Sequence, residues 1–189
     1  MKITVFGGAA PKPGEAAYEE AWHLGFLLGS AGHTILTGGY IGVMEAASKG
    51  AYEAGAHVIG STCEEIESWR GSKANRWVKE EWKYTTLRER MYALIDACDA
   101  AIAMPGGVGT LAELAVMWNE EIISRKPGRL LILVGEGWQR TIAAFFTENG
   151  TYISEKDQKR VRFAGSIQEA LLMIESSGSE NHDNLAKSG

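Results

Sequence analysis

Apolar and polar positions fall into blocks along this chain, and the blocks alternate between two periods. Lys2 to Phe6 is a short apolar run that reads as a buried strand and stops at Gly7-Gly8. Glu15 to Ser30 repeats with a helical period, placing Ala17, Ala21, Leu24, Leu28 and Ala31 on one face, and Gly32 terminates it. His33 to Thr37 is the next strand, again ending in a double glycine, Gly38-Gly39. Ile41 to Ala54 reads as a second helix closed by Gly55, and His57 to Ser61 as a third strand. Cys63 to Lys79 has no clean period and is expected to be a long excursion, a flap. Beyond it the pattern predicts a short strand over Glu81 to Thr85, a helix over Thr86 to Cys98 and a strand over Ala100 to Met104. A helix over Thr110 to Ser124 follows, with Leu114, Met117, Trp118 and Ile122 on one face. The remaining expectations are a strand over Leu130 to Val134, a helix over Thr141 to Glu148, a strand over Val161 to Phe163 and a helix over Ser166 to Ile174. From Ser177 onward the residues are polar and aperiodic and read as a flexible tail, which leaves 1–176 as one domain.

Strands and helices in alternation, with glycine at the strand exits, predict an α/β class protein. The expected architecture is a three-layer Rossmann-like fold, a mostly parallel sheet with helices on both faces. Ligands of such sheets bind outside the carboxyl ends of the strands. The pairs Gly7-Gly8, Gly38-Gly39 and Gly106-Gly107 stand at three such ends and line one crevice if those strands are neighbours.

The totals narrow the partners. A net charge of −5 disfavours nucleic acid and anionic membranes, which need clustered Lys and Arg. Any phosphate is then caught locally, by loop backbone and a few Arg. Two distant cysteines and four histidines without ligand spacing give neither a disulfide framework nor a metal site. No apolar run approaches a membrane span and the start is too short for a signal peptide, so a soluble cytoplasmic protein is expected.

Pro105-Gly106-Gly107-Val108-Gly109-Thr110-Leu111-Ala112-Glu113 is the most informative string. It joins a predicted strand to a predicted helix, and its glycines allow close approach to bare N–H groups at a helix start, a phosphate site. It lacks the Walker spacing and its lysine. The first strand exit, Gly7-Gly8-Ala9-Ala10-Pro11, is not a dinucleotide fingerprint either. Thr110 and Glu113 have two readings. Thr-x-x-Glu ahead of an apolar run is a capping box, in which Glu113 reaches back to the helix start. Otherwise Glu113 is a carboxylate one turn from a bound phosphate. A lost cap costs about 1 kcal/mol, whereas a lost general acid or base costs roughly 10²–10⁴ in rate. Thr86-Leu87-Arg88-Glu89 repeats the signature and adds an oddity. Arg88 and Arg90 fall in a first turn, where the helix dipole disfavours cations unless they face a carboxylate or anion. Trp69, Trp77 and Trp82 border the irregular stretch, either walling a pocket or folding that loop down.

The string PGGVGTLAE resembles the PGGxGTxxE motif of the LOG family, the cytokinin riboside 5′-monophosphate phosphoribohydrolases and their bacterial relatives, long mislabelled as lysine decarboxylases. Leu36 to Met44, Gly55 to Gly60 and Ala97 to Met104 are similar to further family segments, and the likeness covers roughly Met1 to Val134. The resemblance implies a Rossmann-like homodimer. Such a protein hydrolyses the N-glycosidic bond of a nucleoside 5′-monophosphate, AMP-like or a cytokinin riboside monophosphate, to free base and ribose 5-phosphate. It implies Arg90 and Glu113 as catalytic residues. Phosphate or substrate binding is expected at Gly7, Gly8, Gly38, Gly39, Met104, Gly106, Gly107, Gly109 and Thr110. No cofactor is implied, since C–N cleavage through an oxocarbenium-like state needs charge stabilisation. Tyr40 and Met91 depart from the plant-type pattern, which has a third glycine and a lysine there. The alternative is a non-catalytic nucleotide- or sugar-phosphate-binding regulatory protein.

Overall fold

The computed structural model describes residues 1–123 and 128–186, with side chains described as far as 177. The chain opens with β1 (Lys2–Phe6), α1 (Ala16–Ser30), β2 (Thr34–Thr37), α2 (Val43–Glu53), β3 (Val58–Cys63) and α3 (Glu64–Arg70). It continues with β4 (Glu80–Tyr84), α4 (Leu87–Asp96), β5 (Ala100–Ala103), α5 (Val108–Ile123) and β6 (Leu130–Val134). α6 (Glu136–Asn149), a 3₁₀ turn (Gly150–Tyr152), α7 (Glu155–Gln158), β7 (Val161–Ala164) and α8 (Ile167–Ala186) complete it.

Every strand pair is parallel, and the sheet order is β4-β3-β2-β1-β5-β6-β7. The chain builds outward from β1 on one side, crosses over through α4, and builds outward from β5 on the other. The order therefore reverses between β1 and β5, where Val5 lies opposite Ile102 and Phe6 opposite Ala103. That reversal opens a crevice at the carboxyl ends. β2, β1 and β5 are neighbours, so the three glycine pairs do leave the sheet side by side.

Both faces are covered, and the central strands β1, β2 and β5 are buried along almost their whole length. On one face α1, α2 and α8 bury Leu24, Ala47 and Ile174 against Ile3, Val5, Ile35 and Ile102. On the other α4, α5 and α6 bury Leu94, Leu114 and Trp138 against Phe6, Leu36, Ala101 and Leu133. Each fully buried leucine of this kind contributes about 1.5–3 kcal/mol. α1 and α2 approach so closely that a methyl group at Gly25 would meet the Ala47 backbone, and one at Gly50 the Trp22 backbone. No helix among the described residues is long and apolar enough to cross a membrane.

Several expected elements shift. The face of α1 turns on Tyr18 rather than Ala17, and Ala17 and Ala31 are exposed. On α5, Glu121 is buried where Ile122 is expected. The Arg129 guanidinium explains this: its Nε lies 2.6 Å from the Glu121 carboxylate, an ion pair that satisfies the buried charge. α6 starts at Glu136, since Gly135 caps it at a φ of 95°, a value that favours glycine. The excursion over Cys63 to Lys79 begins with a helix, α3. The last helix runs past Ile174 to Ala186, through most of the expected tail, while residues 187–189 lie outside the described residues, as does Ser124.

Candidate functional site

The crevice is a cleft of about 670 Å³. One wall is the start of α5. The Gly107 carbonyl accepts from Leu111 N at 3.0 Å, so the helix already winds at Val108. The amides of Val108, Gly109 and Thr110 then belong to the first turn, which has no intrahelical partners. Gly107 and Gly109 line the cleft. A methyl group on either would meet nothing within 4 Å, and neither has a positive φ. None of the described residues requires glycine at these two places. Gly106 differs: a methyl group there would strike the Thr110 side chain and approach Gly8 N to 2.9 Å. Gly8 N donates to Pro105 O at 3.1 Å, and Gly8 O accepts from Val43 N at 2.9 Å. The turn at Gly7-Gly8 is thus stitched between the β5 exit and α2.

The start at Val108 settles the two readings of Thr110. It is wound into the first turn rather than standing before it, so the capping box expected with Glu113 does not form. Glu113 faces across the cleft instead, with Oε1 3.7 Å from Arg90 Nη1. Its side chain is only 13% exposed. Burial pushes the carboxyl up to about 7, against the opposing pull of the Arg90 charge.

Arg90 is 5% exposed, and its seat is built from backbone. Nε donates to Ser61 O at 2.8 Å and Nη2 to Gly38 O at 3.2 Å, with Met44 Sδ 3.8 Å away. The Tyr40 ring lies 5.5 Å from the guanidinium. This accounts for a cation in the first turn of α4: it is bound by a carbonyl within β3 and another just past β2, and it faces a carboxylate. Arg88 is exposed. The crowding also explains Gly38, where any side chain would collide with the guanidinium.

The residues expected to bind substrate therefore divide. Gly7, Gly8, Gly107, Gly109 and Thr110 line the cleft with Arg90 and Glu113. Gly38 seats Arg90, Gly106 packs beneath Thr110, and the Gly39 carbonyl accepts from Asn75 N at 2.7 Å. Met104 is buried behind the wall, its carbonyl accepting from Trp138 Nε1 at 3.0 Å. Residues not anticipated on the wall include Tyr40, Met44, Glu65, Ile66, Arg70 and Leu87. Of the three tryptophans bordering the excursion, Trp69 reaches the cleft. Tyr40 clasps the start of α3: its hydroxyl accepts from Cys63 N at 2.8 Å and donates to Cys63 O at 3.1 Å. Asn75 Nδ2 donates to the carbonyls of Gly39 and Tyr40, at 3.1 and 2.9 Å, and holds the far end of the excursion to the same turn.

Known proteins resemble this chain in sequence and fold. Residues 1–162 match the profile of the SLOG cluster4 family. The chain is 29% identical over 180 residues to cytokinin riboside 5′-monophosphate phosphoribohydrolase LOG of Oryza sativa subsp. japonica, spanning 92% of this chain and 72% of that one. It is 27% identical over 174 residues to the cytokinin riboside 5′-monophosphate phosphoribohydrolase of Mycobacterium marinum, spanning 89% and 90%. Among solved structures, the molybdenum cofactor binding protein from the phototrophic bacterium Rippkaea orientalis superposes with a TM-score of 0.71 at 26% identity, covering 93% of this chain and 95% of that one. With the family profile matched over most of its length and LOG proteins aligned along nearly all of it, the chain belongs to the SLOG cluster4 family, among the LOG-type proteins that its Pro105 to Glu113 string resembles.

Proposed function

We propose that this protein hydrolyses the N-glycosidic bond of a nucleoside 5′-monophosphate, releasing free base and ribose 5-phosphate. The observation that carries the reading is the Arg90–Glu113 pair, 3.7 Å apart, beside the open first turn of α5. The phosphate rests on the amides of Val108, Gly109 and Thr110, where the helix dipole favours an anion. That places the ribose over Glu113, one turn further along. The Glu113 carboxylate stabilises the positive charge that develops on the sugar as the C1′–N bond breaks. It also takes a proton from the attacking water, whose oxygen bonds to C1′, while the bonding pair leaves with the base. The proton held on Glu113 then passes to the base, so water is divided between the two products. Arg90, fixed by Ser61 and Gly38, keeps part of the Glu113 population ionised near neutral pH and holds its orientation. The homodimer that the family implies belongs to this proposal, with light scattering as its check.

Incubating the protein with AMP and related monophosphates is expected to yield free base and ribose 5-phosphate. Glu113→Gln is expected to lower the rate by about 10²–10⁴. Undiminished turnover in that variant overturns the role of Glu113. Tight binding of a monophosphate by the wild-type chain with no base released replaces hydrolysis with carriage, the reading favoured by likeness to the Rippkaea binding protein.

A further inference from the structure

The fold treats the three guanidinium nitrogens of Arg90 unequally. Nε and Nη2 are taken up by carbonyls, Ser61 O at 2.8 Å and Gly38 O at 3.2 Å. Nη1 is turned to Glu113 and stops 3.7 Å from Oε1. A closed, charge-assisted hydrogen bond would bring these two atoms to about 2.8 Å. The pair is therefore held about 1 Å short of closure, although both side chains are buried enough for their attraction to be strong. Two hydrogen bonds along one edge do not fix a guanidinium. They leave it free to swing about that edge, and Nη1 is the atom that swings furthest.

Tyr40 removes that freedom. It is fully buried, and the guanidinium carbon of Arg90 stands over its ring, 5.5 Å from the centre. A cation is drawn to the face of a desolvated ring, so leaving the ring opposes closure onto Glu113. The ring is itself fixed. Its hydroxyl accepts from Cys63 N at 2.8 Å and donates to Cys63 O at 3.1 Å, and Asn75 Nδ2 donates to the Tyr40 carbonyl at 2.9 Å. Burial holds the hydroxyl above its ordinary range, so it stays protonated. Tyr40 stands where the plant-type pattern has glycine, which supplies no ring.

We propose that Tyr40 is a positioning residue that braces the Arg90 guanidinium and holds it short of Glu113, so that the two charges act across a gap and the carboxylate stays open to the cleft. A closed pair would occupy the oxygen that an attacking water needs; an open one leaves it free. The effect on rate rests on the hydrolase reading, whereas the spacing stands without it. The charged side chains lining the cleft are Glu65 and Arg70 from α3, Arg90 from α4 and Glu113 from α5. Glu65 accepts from Leu87 N at 2.8 Å and Arg70 lies 4.7 Å from the Trp69 ring. Arg90 is the charge that acts on Glu113.

Carboxyl-carbon NMR on the full, ligand-free chain follows Glu113 directly, its signal being the one missing in Glu113→Gln. In the wild type it is expected to titrate at about 7. Tyr40→Phe keeps the ring and should titrate there too. Tyr40→Leu and Tyr40→Met remove the ring and should let the pair close. The Glu113 carboxyl then falls by about 1–3 pH units, because a nearer cation and a new hydrogen bond both favour its charged form. In the assay for base release, the acid limb of the pH–rate profile should move down with it, and kcat should fall by more than KM changes. A Glu113 carboxyl that stays at about 7 in the ring-less variants overturns the brace. So does one that rises, which marks a ring that draws the pair together. An equal fall in Tyr40→Phe hands the effect to the hydroxyl clasp and overturns it as well. Two ring-less variants of different shape keep the test open where one fails to fold. Absence of base release by the wild-type chain overturns hydrolysis and leaves the brace to the titrations.

Discussion

Thr86-Leu87-Arg88-Glu89 and Thr110-Leu111-Ala112-Glu113 share one four-residue pattern, and the fold uses them in opposite ways. At the first, Thr86 stands before α4 and the box closes: Glu89 N donates to Thr86 Oγ1 at 3.2 Å and Thr86 N donates to Glu89 Oε2 at 3.0 Å. Hydrogen bonds from Thr86 hold the Glu89 carboxyl below its usual range. At the second, the helix has already begun at Val108, the threonine is inside it, and the glutamate turns to Arg90. Burial there holds the carboxyl up at about 7. What separates them is the chain just upstream. After the bend at Pro105 the helix starts at Val108, ahead of Thr110, whereas α4 starts at Leu87, just after Thr86. A short motif fixes which groups are near one another along the chain. Where the helix starts decides whether the carboxylate serves the helix or the cleft.

The sharpest way to break this contrast is to neutralise both glutamates. Glu113→Gln is expected to lose about 10²–10⁴ in base-release rate, and Glu89→Gln to keep its rate while melting earlier. Equal rates in the two variants would erase the distinction. Arg90→Ala is expected to cost about 2–5 kcal/mol in denaturant unfolding, because the Ser61 and Gly38 carbonyls lose their donor and Glu113 its cation. With Arg90 gone, the rise of activity with pH should move above 7, since that charge opposes burial at Glu113. A pH–rate profile that stays in place would show the pair to be uncoupled.

Stability itself should depend on pH through Glu113. Its carboxyl rises from an ordinary 4.5 to about 7 on folding. Between those values the folded chain binds more protons than the unfolded one, so the contribution to stability falls as pH rises. Glu113→Gln lacks that dependence and should gain about 3 kcal/mol on the wild type between pH 4.5 and 8. Parallel urea titrations at the two pH values test this, and a constant difference would contradict it. The smallest effect belongs to the closed box: Thr86→Ala should lose about 1 kcal/mol and no activity.

Much of the fold is legible in the sequence, because strand and helix periods report buried faces. β5 and β6 are covered on both sides and read as unbroken apolar runs, and β1 and β2 read as apolar runs broken only by buried threonine. α3 is illegible for the same reason. It buries nothing, so it leaves no period, and its position depends on Glu65, Glu67 and Tyr40, whose partners are distant in sequence. In the cleft, Arg90 announces itself as a cation at the wrong end of a helix. The reason for Gly38 does not, since it lies in a guanidinium 52 residues away. Met104 belongs to the same familiar stretch as the cradle, yet its backbone faces Trp138 behind the wall. Nearness along the chain to a binding loop is a poor guide to which side of the loop a residue takes.

The double clasp on the Gly38-Gly39-Tyr40 turn has a consequence for how the molecule breathes. Tyr40 holds one end of the 63–79 excursion and Asn75 the other, and α3 between them has no stake in either core. Beyond Cys63, the last residue of β3, the segment is tied to its neighbours by polar contacts that opening would have to break. Regions with few buried contacts occupy the low end of a protein's ladder of opening free energies. Hydrogen exchange is expected to show the α3 amides opening ahead of those of β1, β2 and β5, with the Arg90–Glu113 pair on the slower side of that divide.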